Sequence, residues 1–226
     1  MKRFVVTGTD TGIGKTRVSA GLLKAMTKAG LKCAGMKPIA SGAEMTAEGL
    51  RNGDALALMA AASVKKPYGA VNPYCFAPPV APHLAAREAQ VEMSLDPIRS
   101  AYVELCQGTD AVVVEGVGGW QVPLSETLEL PDLARELGLP VLLVVGMRLG
   151  CLNHALLTAR AIRADGLELA GWVANAVDPD FQRPGANLAS LSAALDAPLL
   201  GQLAYAPKAR IEDTAAALET ALRTLI

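Results

Sequence analysis

The sequence predicts an α/β protein with an open, mainly parallel β-sheet flanked by helices on both faces. The first observation is a series of short, continuously apolar runs, which are typical of strands buried on both faces of a sheet. The second is that helix-length segments separate most of these runs, as a parallel sheet requires. The third is a glycine after four of the helix-length segments, where a helix is expected to end: Gly30, Gly108, Gly138 and Gly166.

The predicted elements cover the chain in order. Strands are predicted at residues 4–6, 33–36, 111–114, 141–145, 170–174 and 199–203. Helices are predicted at residues 16–29, 54–62, 96–107, 130–137, 153–165, 187–195 and 213–225. Residues 67–82 are rich in proline and small side chains, which predicts a long loop over the sheet. Because no repeat, low-complexity tract or linker interrupts this order, we expect a single domain over residues 1–226.

Composition and charge limit the classes of partner. The chain has 226 residues, is 51% hydrophobic and carries a formal net charge of −1. A near-neutral chain has no electrostatic footprint for nucleic acid or an acidic membrane, so we expect small-molecule partners. No apolar run approaches the ~18–20 residues that cross a bilayer, and the first strand begins too early for a signal peptide. We therefore expect a cytoplasmic protein.

The four cysteines form no C-x-x-C pair, so neither a metal site nor a disulfide framework is supported.

A glycine-rich loop, GTDTGIGKT at residues 8–16, lies between the first predicted strand and the first predicted helix. Glycines let backbone N–H groups approach a phosphate closely, and the helix start adds further N–H groups and a positive dipole end. In this arrangement Lys15 would contact the β- and γ-phosphates and Thr16 would contact Mg²⁺. The loop therefore predicts a P-loop NTPase-type fold that binds a nucleoside triphosphate, with its first glycine one residue earlier than in the standard motif.

Polar residues that follow the predicted strands are candidates for the rest of the site, because ligands of an open parallel sheet bind at its carboxyl edge. Lys37 and Ser41 follow the second strand, and a lysine there would neutralise charge during phosphoryl transfer. Glu115 ends an otherwise apolar strand, so it is a candidate Mg²⁺ ligand together with Thr16 and Asp54. Asp54 is interpreted equally well as a helix N-cap.

Two further segments leave two interpretations open. The glycine-led helix start at Gly150 has free N–H groups that suit a carboxylate or phosphate, and it is equally an ordinary helix entry with Asn153 as the cap. Asn175 follows the fifth predicted strand. Its amide offers a donor and an acceptor that would read a purine edge, or it simply forms a turn.

Taken together, these segments resemble the dethiobiotin synthetase family. The matching segments are VTGTDTGIGKT (6–16), GMKPIASG (35–42), GLRNGDAL (49–56), VNPY (71–74), VEGVGGW (114–120), LGCLNH (149–154), AGWVAN (170–175) and APLLG (197–201). The resemblance implies an ATP- and Mg²⁺-dependent ligase that carboxylates 7,8-diaminononanoate with CO₂ and closes the ring of dethiobiotin. The implied intermediates are a carbamate and a carbamic–phosphoric anhydride, and the products include ADP and phosphate.

The resemblance also implies a role for each matching residue. The implied catalytic residues are Thr11, Lys15, Lys37 and Ser41, and the implied Mg²⁺ ligands are Thr16, Asp54 and Glu115. The implied nucleotide contacts are Gly12, Ile13, Gly14, Lys15, Thr16, Arg17, Glu115, Gly116, Val117, Gly118 and Asn175. The implied substrate contacts are Ser41 and, from the second subunit of a homodimer with its active site at the interface, Gly150, Cys151, Leu152 and Asn153. The chain departs from the family pattern at Gly12, Ala176 and Asn187.

Two other classes of protein share parts of this pattern. A nucleotide-switch ATPase of the partition type carries a second lysine in its loop, and this chain has Asp10 at that position. A non-catalytic nucleotide-binding module would leave Lys37, Ser41 and Glu115 without a purpose. We therefore expect an enzyme, with the partition-type ATPase as the alternative.

Overall fold

The structure is a computed structural model that describes residues 2–225. Its strands are β1 (Lys2–Gly8), β2 (Cys33–Met36), β3 (Ile39–Ala40), β4 (Glu44–Thr46), β5 (Gly49–Arg51), β6 (Tyr74–Cys75), β7 (Ala111–Glu115), β8 (Val141–Met147), β9 (Leu169–Ala176) and β10 (Leu199–Leu203). Its helices are α1 (Lys15–Lys28), α2 (Gly53–Ala61), α3 (Tyr68–Val71), α4 (Pro82–Glu88), α5 (Leu95–Cys106), α6 (Leu130–Leu137), α7 (Cys151–Ala164), α8 (Pro184–Ala194) and α9 (Ile211–Leu225).

Six of these strands form one sheet, in the order β10-β9-β8-β1-β7-β2. Every neighbouring pair in the sheet is parallel, so the carboxyl ends of all six strands meet at one edge. The chain after β1 crosses over to the outer strand β2, and β7 later inserts between them. This order places the loops after β1, β2 and β7 side by side, although they are far apart in the sequence.

The sheet is buried on both faces because successive strand residues point to opposite sides. Val5 and Val112 belong to an apolar cluster with residues of α5, α6 and α7. Val6 and Val113 belong to a second cluster with residues of α1 and α9. The predicted α/β fold, with helices on both faces of a mainly parallel sheet, is confirmed.

The six sheet strands were all predicted from their apolar runs, and each lies where the sequence placed it. The seven predicted helices are also present, with ends that shift by up to three residues. The prediction of a single domain over residues 1–226 extends beyond the described residues at Met1 and Ile226.

The prediction of a long loop at residues 67–82 is wrong. The segment contains α3 and β6, and α4 begins at its last residue. Strand β6 pairs with β3, and the side chains of Tyr74 and Phe76 are buried. Elements of two to four residues have no measurable periodicity in the sequence, and only their tertiary contacts stabilise them. The strands β4 and β5, which form a small antiparallel pair, were also missed.

Candidate active site

A cleft of about 790 Å³ opens at the carboxyl edge of the sheet. Its walls come from the glycine-rich loop, the segment after β2, the start of α2, the segment before α4 and the segment after β7. The lining residues are Thr11, Gly12, Gly14, Lys15, Thr16, Lys37, Ala40, Ser41, Asn52, Asp54, Pro79, Val80, Ala81, Pro82, Glu115, Val117, Gly118, Gly119 and Val122.

The glycine-rich loop holds its shape through backbone conformations that favour glycine. Gly12 and Gly14 have φ angles of 72° and 90°, in the left-handed region. A Cβ atom on Gly14 would also lie only 2.3 Å from Nδ2 of Asn175, so a larger residue there would displace that side chain. The side chain of Ile13 is buried and fits against Gly8 and Gly146, which anchors the loop to the sheet.

Lys15 begins α1, and its side chain is almost fully buried at the cleft. Its ammonium group donates to the carbonyl oxygens of Asp10, at 2.9 Å, and Gly118, at 2.5 Å. Burial lowers the pKa of Lys15 to about 8, and the neighbouring charge of Lys37 contributes to the shift. A cation that is destabilised in this way gains from an anionic ligand, because the ligand restores the charge balance.

Lys37 lines the cleft and is only 3% exposed. Its Nζ atom is 2.7 Å from Oε1 of Glu115 and 2.8 Å from Oδ2 of Asp54, and it also donates to the carbonyl of Gly116 at 3.2 Å. Burial by itself would lower the pKa of Lys37, but the two carboxylates outweigh it and raise the pKa above the ordinary lysine value. Lys37 is therefore a permanent cation at neutral pH.

Glu115 is fully buried at the end of β7, and its two carboxylate oxygens have different surroundings. Oε1 accepts from Lys37 and from the hydroxyl of Thr16, the latter at 2.8 Å. Oε2 is buried and has no hydrogen-bond partner among residues 2–225. An unpaired buried carboxylate oxygen is costly, and a cation or a donor would relieve that cost.

Asp54 lies in the first turn of α2, with its side chain half exposed towards the cleft. Burial would raise its pKa, but the ammonium group of Lys37 outweighs that effect and holds the pKa of Asp54 below its ordinary value. The alternative interpretation of Asp54 as an N-cap is wrong. Asn52 is the N-cap, because its Oδ1 accepts from the backbone N–H groups of Asp54, at 3.0 Å, and Ala55, at 3.3 Å.

Most of the predicted site residues line the cleft. Those that do are Thr11, Gly12, Gly14, Lys15, Thr16, Lys37, Ser41, Asp54, Glu115, Val117 and Gly118. Gly116 lies just behind them, and its carbonyl contacts Lys37. Three further predicted nucleotide contacts do not line the cleft: Ile13 in the glycine-rich loop, Arg17 in α1 and Asn175.

Asn175 and Arg17 form a network next to the glycine-rich loop. The Asn175 amide donates to the carbonyl of Ile13 at 2.7 Å and accepts from Nη1 of Arg17 at 3.0 Å. Arg17 also donates to the carbonyl of Ala204, at 3.0 Å, and to the hydroxyl of Thr214, at 3.2 Å. This network connects the loop and α1 to the segment after β10 and to α9. Asn175 is not simply a turn former, because it lies within β9.

The residues Gly150, Cys151, Leu152 and Asn153 lie apart from the cleft of their own chain, at the start of α7. The N-cap is Gly150, with a φ angle of 93°, so the interpretation of Asn153 as the cap is wrong. The side chain of Cys151 is buried, whereas Asn153 is exposed and Leu149, just before the helix, is 90% exposed. Any ligand bound here would be held by a helix start on an open surface.

Two parts of the cleft and one residue beside it were missed from the sequence. Asn52 is a residue type typical of helix caps, but the sequence analysis considered only Asp54 as a candidate cap of this helix. The wall from Pro79 to Pro82 carried no chemical signal. Arg148 was also missed. It forms an ion pair with Asp10, and no local pattern could connect two residues at the ends of different strands.

None of the helices in the described part of the chain is both long and apolar enough to cross a membrane.

Solved structures with the same fold have low sequence identity to this chain. The MinD cell division protein of Aquifex aeolicus superimposes with a TM-score of 0.61 and 15% identity, covering 99% of this chain and 96% of its own. A ParA family ATPase from Chlorobium tepidum TLS has a TM-score of 0.57 and 10% identity, covering 98% of this chain and 92% of its own. At these identities the likeness shows the fold alone.

Relatives of much higher identity identify the family. The sequence profile of an AAA domain family matches residues 2–212. The ATP-dependent dethiobiotin synthetase BioD of Pseudomonas aeruginosa (strain UCBPP-PA14) is 59% identical over 204 residues, which is 90% of each chain. That of Xanthomonas oryzae pv. oryzae (strain PXO99A) is 51% identical over 216 residues, 96% of each chain. The fold and the site define a P-loop NTPase-type α/β protein. The chain belongs to the dethiobiotin synthetase family and is an ATP-dependent ligase that forms a carbon–nitrogen bond.

Proposed function

We propose that this protein carboxylates 7,8-diaminononanoate with CO₂ and closes the ureido ring of dethiobiotin, using ATP and Mg²⁺. The observation that carries the proposal is the buried cation Lys37, held between Glu115 and Asp54 beside the glycine-rich loop. A loop that only binds a nucleotide has no need for a second buried lysine in front of it. A phosphoryl transfer to a carbamate does need one, because negative charge gathers there from two anions.

The proposed reaction has three steps. One amine of the diamine attacks CO₂, a carbon–nitrogen bond forms, and loss of a proton gives a carbamate. A carbamate oxygen then attacks the γ-phosphorus of ATP, and the bond to the β,γ-bridging oxygen breaks to release ADP. The second amine attacks the carbonyl carbon of the resulting anhydride, phosphate leaves with the bonding electron pair, and the ring closes as the amine loses its proton.

The charges of the cleft suit the second step. Lys15 and Lys37 bring two ammonium groups to the same cleft, close enough for the charge of Lys37 to lower the pKa of Lys15. We propose that both stabilise the transferring phosphoryl group and the carbamate, with the hydroxyls of Thr11 and Ser41 as further donors. These two hydroxyl residues line the cleft from different segments, one in the glycine-rich loop and one after β3.

The same cleft has suitable ligands for Mg²⁺. We propose that Thr16, Asp54 and Glu115 hold the ion, because hydroxyl and carboxylate oxygens are its preferred ligands and Oε2 of Glu115 has no partner among the described residues. Two carboxylates and one hydroxyl leave coordination positions for phosphate oxygens and water, which Mg²⁺ usually retains. When bound, the ion would neutralise phosphate charge. Since Lys37 now contacts both carboxylates, we expect its ammonium group to turn towards the substrate in the loaded enzyme.

We further propose that the protein is a homodimer whose active site is completed by the start of α7 of the second subunit. Residues 150–153 lie outside the cleft of their own chain and present a helix start on an exposed surface. Backbone N–H groups there, together with the helix dipole, would bind the carboxylate tail of the diamine.

The other proposed nucleotide contacts are residues 12–17, residues 115–118 and Asn175. We propose a cytoplasmic location, which the four unpaired cysteines support.

The test is an assay of phosphate release with ATP, Mg²⁺, bicarbonate and diaminononanoate, in which each component is omitted in turn. We expect release only in the complete mixture, with one dethiobiotin formed for each phosphate. Release that continues without the diamine or bicarbonate would contradict the proposal and favour a nucleotide-switch ATPase of the partition type. Phosphate release without dethiobiotin would contradict the ring closure.

A further inference from the structure

The glycine-rich loop is connected to the segment before α7 by the ion pair of Asp10 and Arg148. Nη2 of Arg148 donates to Oδ2 of Asp10. The other carboxylate oxygen of Asp10 accepts from the backbone N–H of Thr11 at 2.7 Å, and its backbone carbonyl accepts from Nζ of Lys15 at 2.9 Å. Through Asp10, Arg148 is therefore linked to two residues that line the cleft.

Arg148 also belongs to the start of α7. Its backbone carbonyl accepts from the N–H of Cys151 at 3.0 Å, one turn later. A single residue thus connects the loop that faces the phosphates with the helix start that lies apart from the cleft. The side chains of Arg148 and Asp10 are both partly exposed, so the pair forms at the edge of the site and not in the core.

The charge of Asp10 makes this pair relevant to nucleotide binding. A carboxylate within a phosphate-binding loop repels a triphosphate unless a cation compensates its charge. Lys15 contacts the backbone carbonyl of Asp10, whereas the ion pair of the carboxylate is with Arg148. Loss of Arg148 would therefore leave the carboxylate of Asp10 without its ion-pair partner, within the loop that would bind the phosphates.

We propose that Arg148 is a positioning residue for ATP. Its guanidinium group neutralises Asp10 and holds the carboxylate where it fixes the N–H of Thr11, so that the loop presents its donors to the phosphates. The inference rests on the proposed function only in taking the loop as the ATP site. An ion pair at the protein surface usually contributes little to stability. Loss of Arg148 should therefore lower the affinity for ATP and leave the unfolding temperature nearly unchanged.

The experiment measures ATP binding by isothermal titration calorimetry in the presence of Mg²⁺ and without diamine. We expect Arg148→Met to raise the Kd for ATP about tenfold, within the usual range of coupling between contacting residues. The double variant Arg148→Met/Asp10→Asn should regain most of the lost affinity, because it carries no uncompensated charge. Arg148→Lys should bind ATP more tightly than Arg148→Met, since it keeps the cation without the planar fork.

The matched control is Arg135→Met. Arg135 forms a similar, partly exposed ion pair with Asp165 at 3.0 Å, and neither residue lines the cleft. Its Kd for ATP should equal that of the parent. Arg148→Gln replaces Arg148→Met if the latter does not give folded protein. In steady-state assays, the loss at Arg148 should appear in KM for ATP more than in kcat.

Two results would overturn the proposal. One is an Arg148→Met protein that binds ATP as tightly as the parent. The other is a double variant that binds no better than Arg148→Met, because Arg148 would then act independently of Asp10. Both results are measured by ATP binding alone, so they test the role of Arg148 and not the proposed function. The proposed function is contradicted by a different result, a parent protein that binds ATP but forms no dethiobiotin.

Discussion

The ammonium group of Lys37 lies 2.7 Å from Oε1 of Glu115, and the two residues are 3% and 0% exposed. The cost of removing both charges from water is of the same order as their attraction, so a buried pair of this kind is a weak source of stability. Its place at the cleft, with one oxygen of Glu115 still unpaired, favours a chemical role over a structural one.

Replacing Lys37 with leucine should lower kcat at least ~100-fold, the size of effect found when one preorganised donor is removed from a transition state. The substitution also leaves Glu115 buried without its counter-charge, which should lower the free energy of unfolding by about 3–5 kcal/mol. Steady-state kinetics and thermal unfolding, measured on protein that circular dichroism shows to be folded, check the two effects.

Two further variants separate these effects. The double variant Lys37→Leu/Glu115→Gln removes both charges and should regain stability without regaining kcat. Lys66→Leu removes a lysine that donates to two backbone carbonyls outside the cleft, at 2.7 and 2.8 Å, and should leave kcat unchanged. A Lys37→Leu enzyme with near-normal kcat would contradict the catalytic role of Lys37.

The variants Glu115→Gln and Asp54→Asn should each raise the Mg²⁺ concentration for half-maximal activity at least about tenfold, because each removes an anionic oxygen from the proposed ion site. Titration of Mg²⁺ at saturating ATP measures this. Glu48→Gln, a change at an exposed carboxylate, is the control and should behave as the parent. Because Asn52 is the N-cap of α2, a loss of stability in Asp54→Asn would not be due to the loss of a helix cap. An unchanged Mg²⁺ requirement in either variant would remove that residue from the metal site.

ATP binding should weaken as the pH rises through about 8, because of Lys15. Burial lowers the pKa of Lys15 to about 8, helped by Lys37 and opposed by Glu115, Asp54 and Asp10. Bound phosphate favours the charged form of Lys15, so the pKa of Lys15 is higher in the ATP complex than in the free enzyme. Above pH ~8, ATP binding is therefore accompanied by the uptake of a proton. Affinity is therefore highest where the free enzyme already has Lys15 protonated, below pH ~8, and it falls above that.

Calorimetry in buffers with different ionisation enthalpies measures the proton uptake directly. Arginine does not titrate in this range, so Lys15→Arg should bind ATP with an affinity that is independent of pH between about 7.5 and 9.5. An unchanged pH dependence in that variant would assign the titration to another group.

A mixture of two inactive chains should recover activity if the second subunit completes the site. One chain carries Lys37→Leu and the other Gly150→Val, which is strained because Gly150 has a φ angle of 93°. Mixed dimers would pair one intact cleft with one intact α7 start. The single change Asn153→Ala should mainly raise KM for the diamine, whereas Arg160→Ala, exposed on the same helix, should not.

Subunit exchange in the mixture is checked with two differently tagged chains. Exchange without any return of activity would contradict the sharing of residues 150–153 between subunits. Unmixed Gly150→Val chains that keep normal KM for the diamine would contradict the role of the helix start itself.

Some features of this protein follow from the sequence by itself. The six sheet strands are continuous apolar runs, and such runs are recognisable because both faces of a parallel sheet are buried. The phosphate loop is local as well: Gly12, Gly14, Lys15 and Thr16 are close in the chain, so their spacing contains the geometry of the site. Lys37 and Glu115 were identified because polar residues at strand ends stand out against apolar runs.

Other features depended on tertiary structure, because they join residues that are distant in the chain. The order of the strands and the position of α2 bring Asp54 and Glu115 within hydrogen-bond distance of Lys37, and no spacing in the sequence contains that information. The choice of Asn52 over Asp54 as the cap depended on where the first turn of α2 begins. The pairing of Asp10 with Arg148 arises only because β1 and β8 are neighbours in the sheet, so that the segments following them meet at one edge.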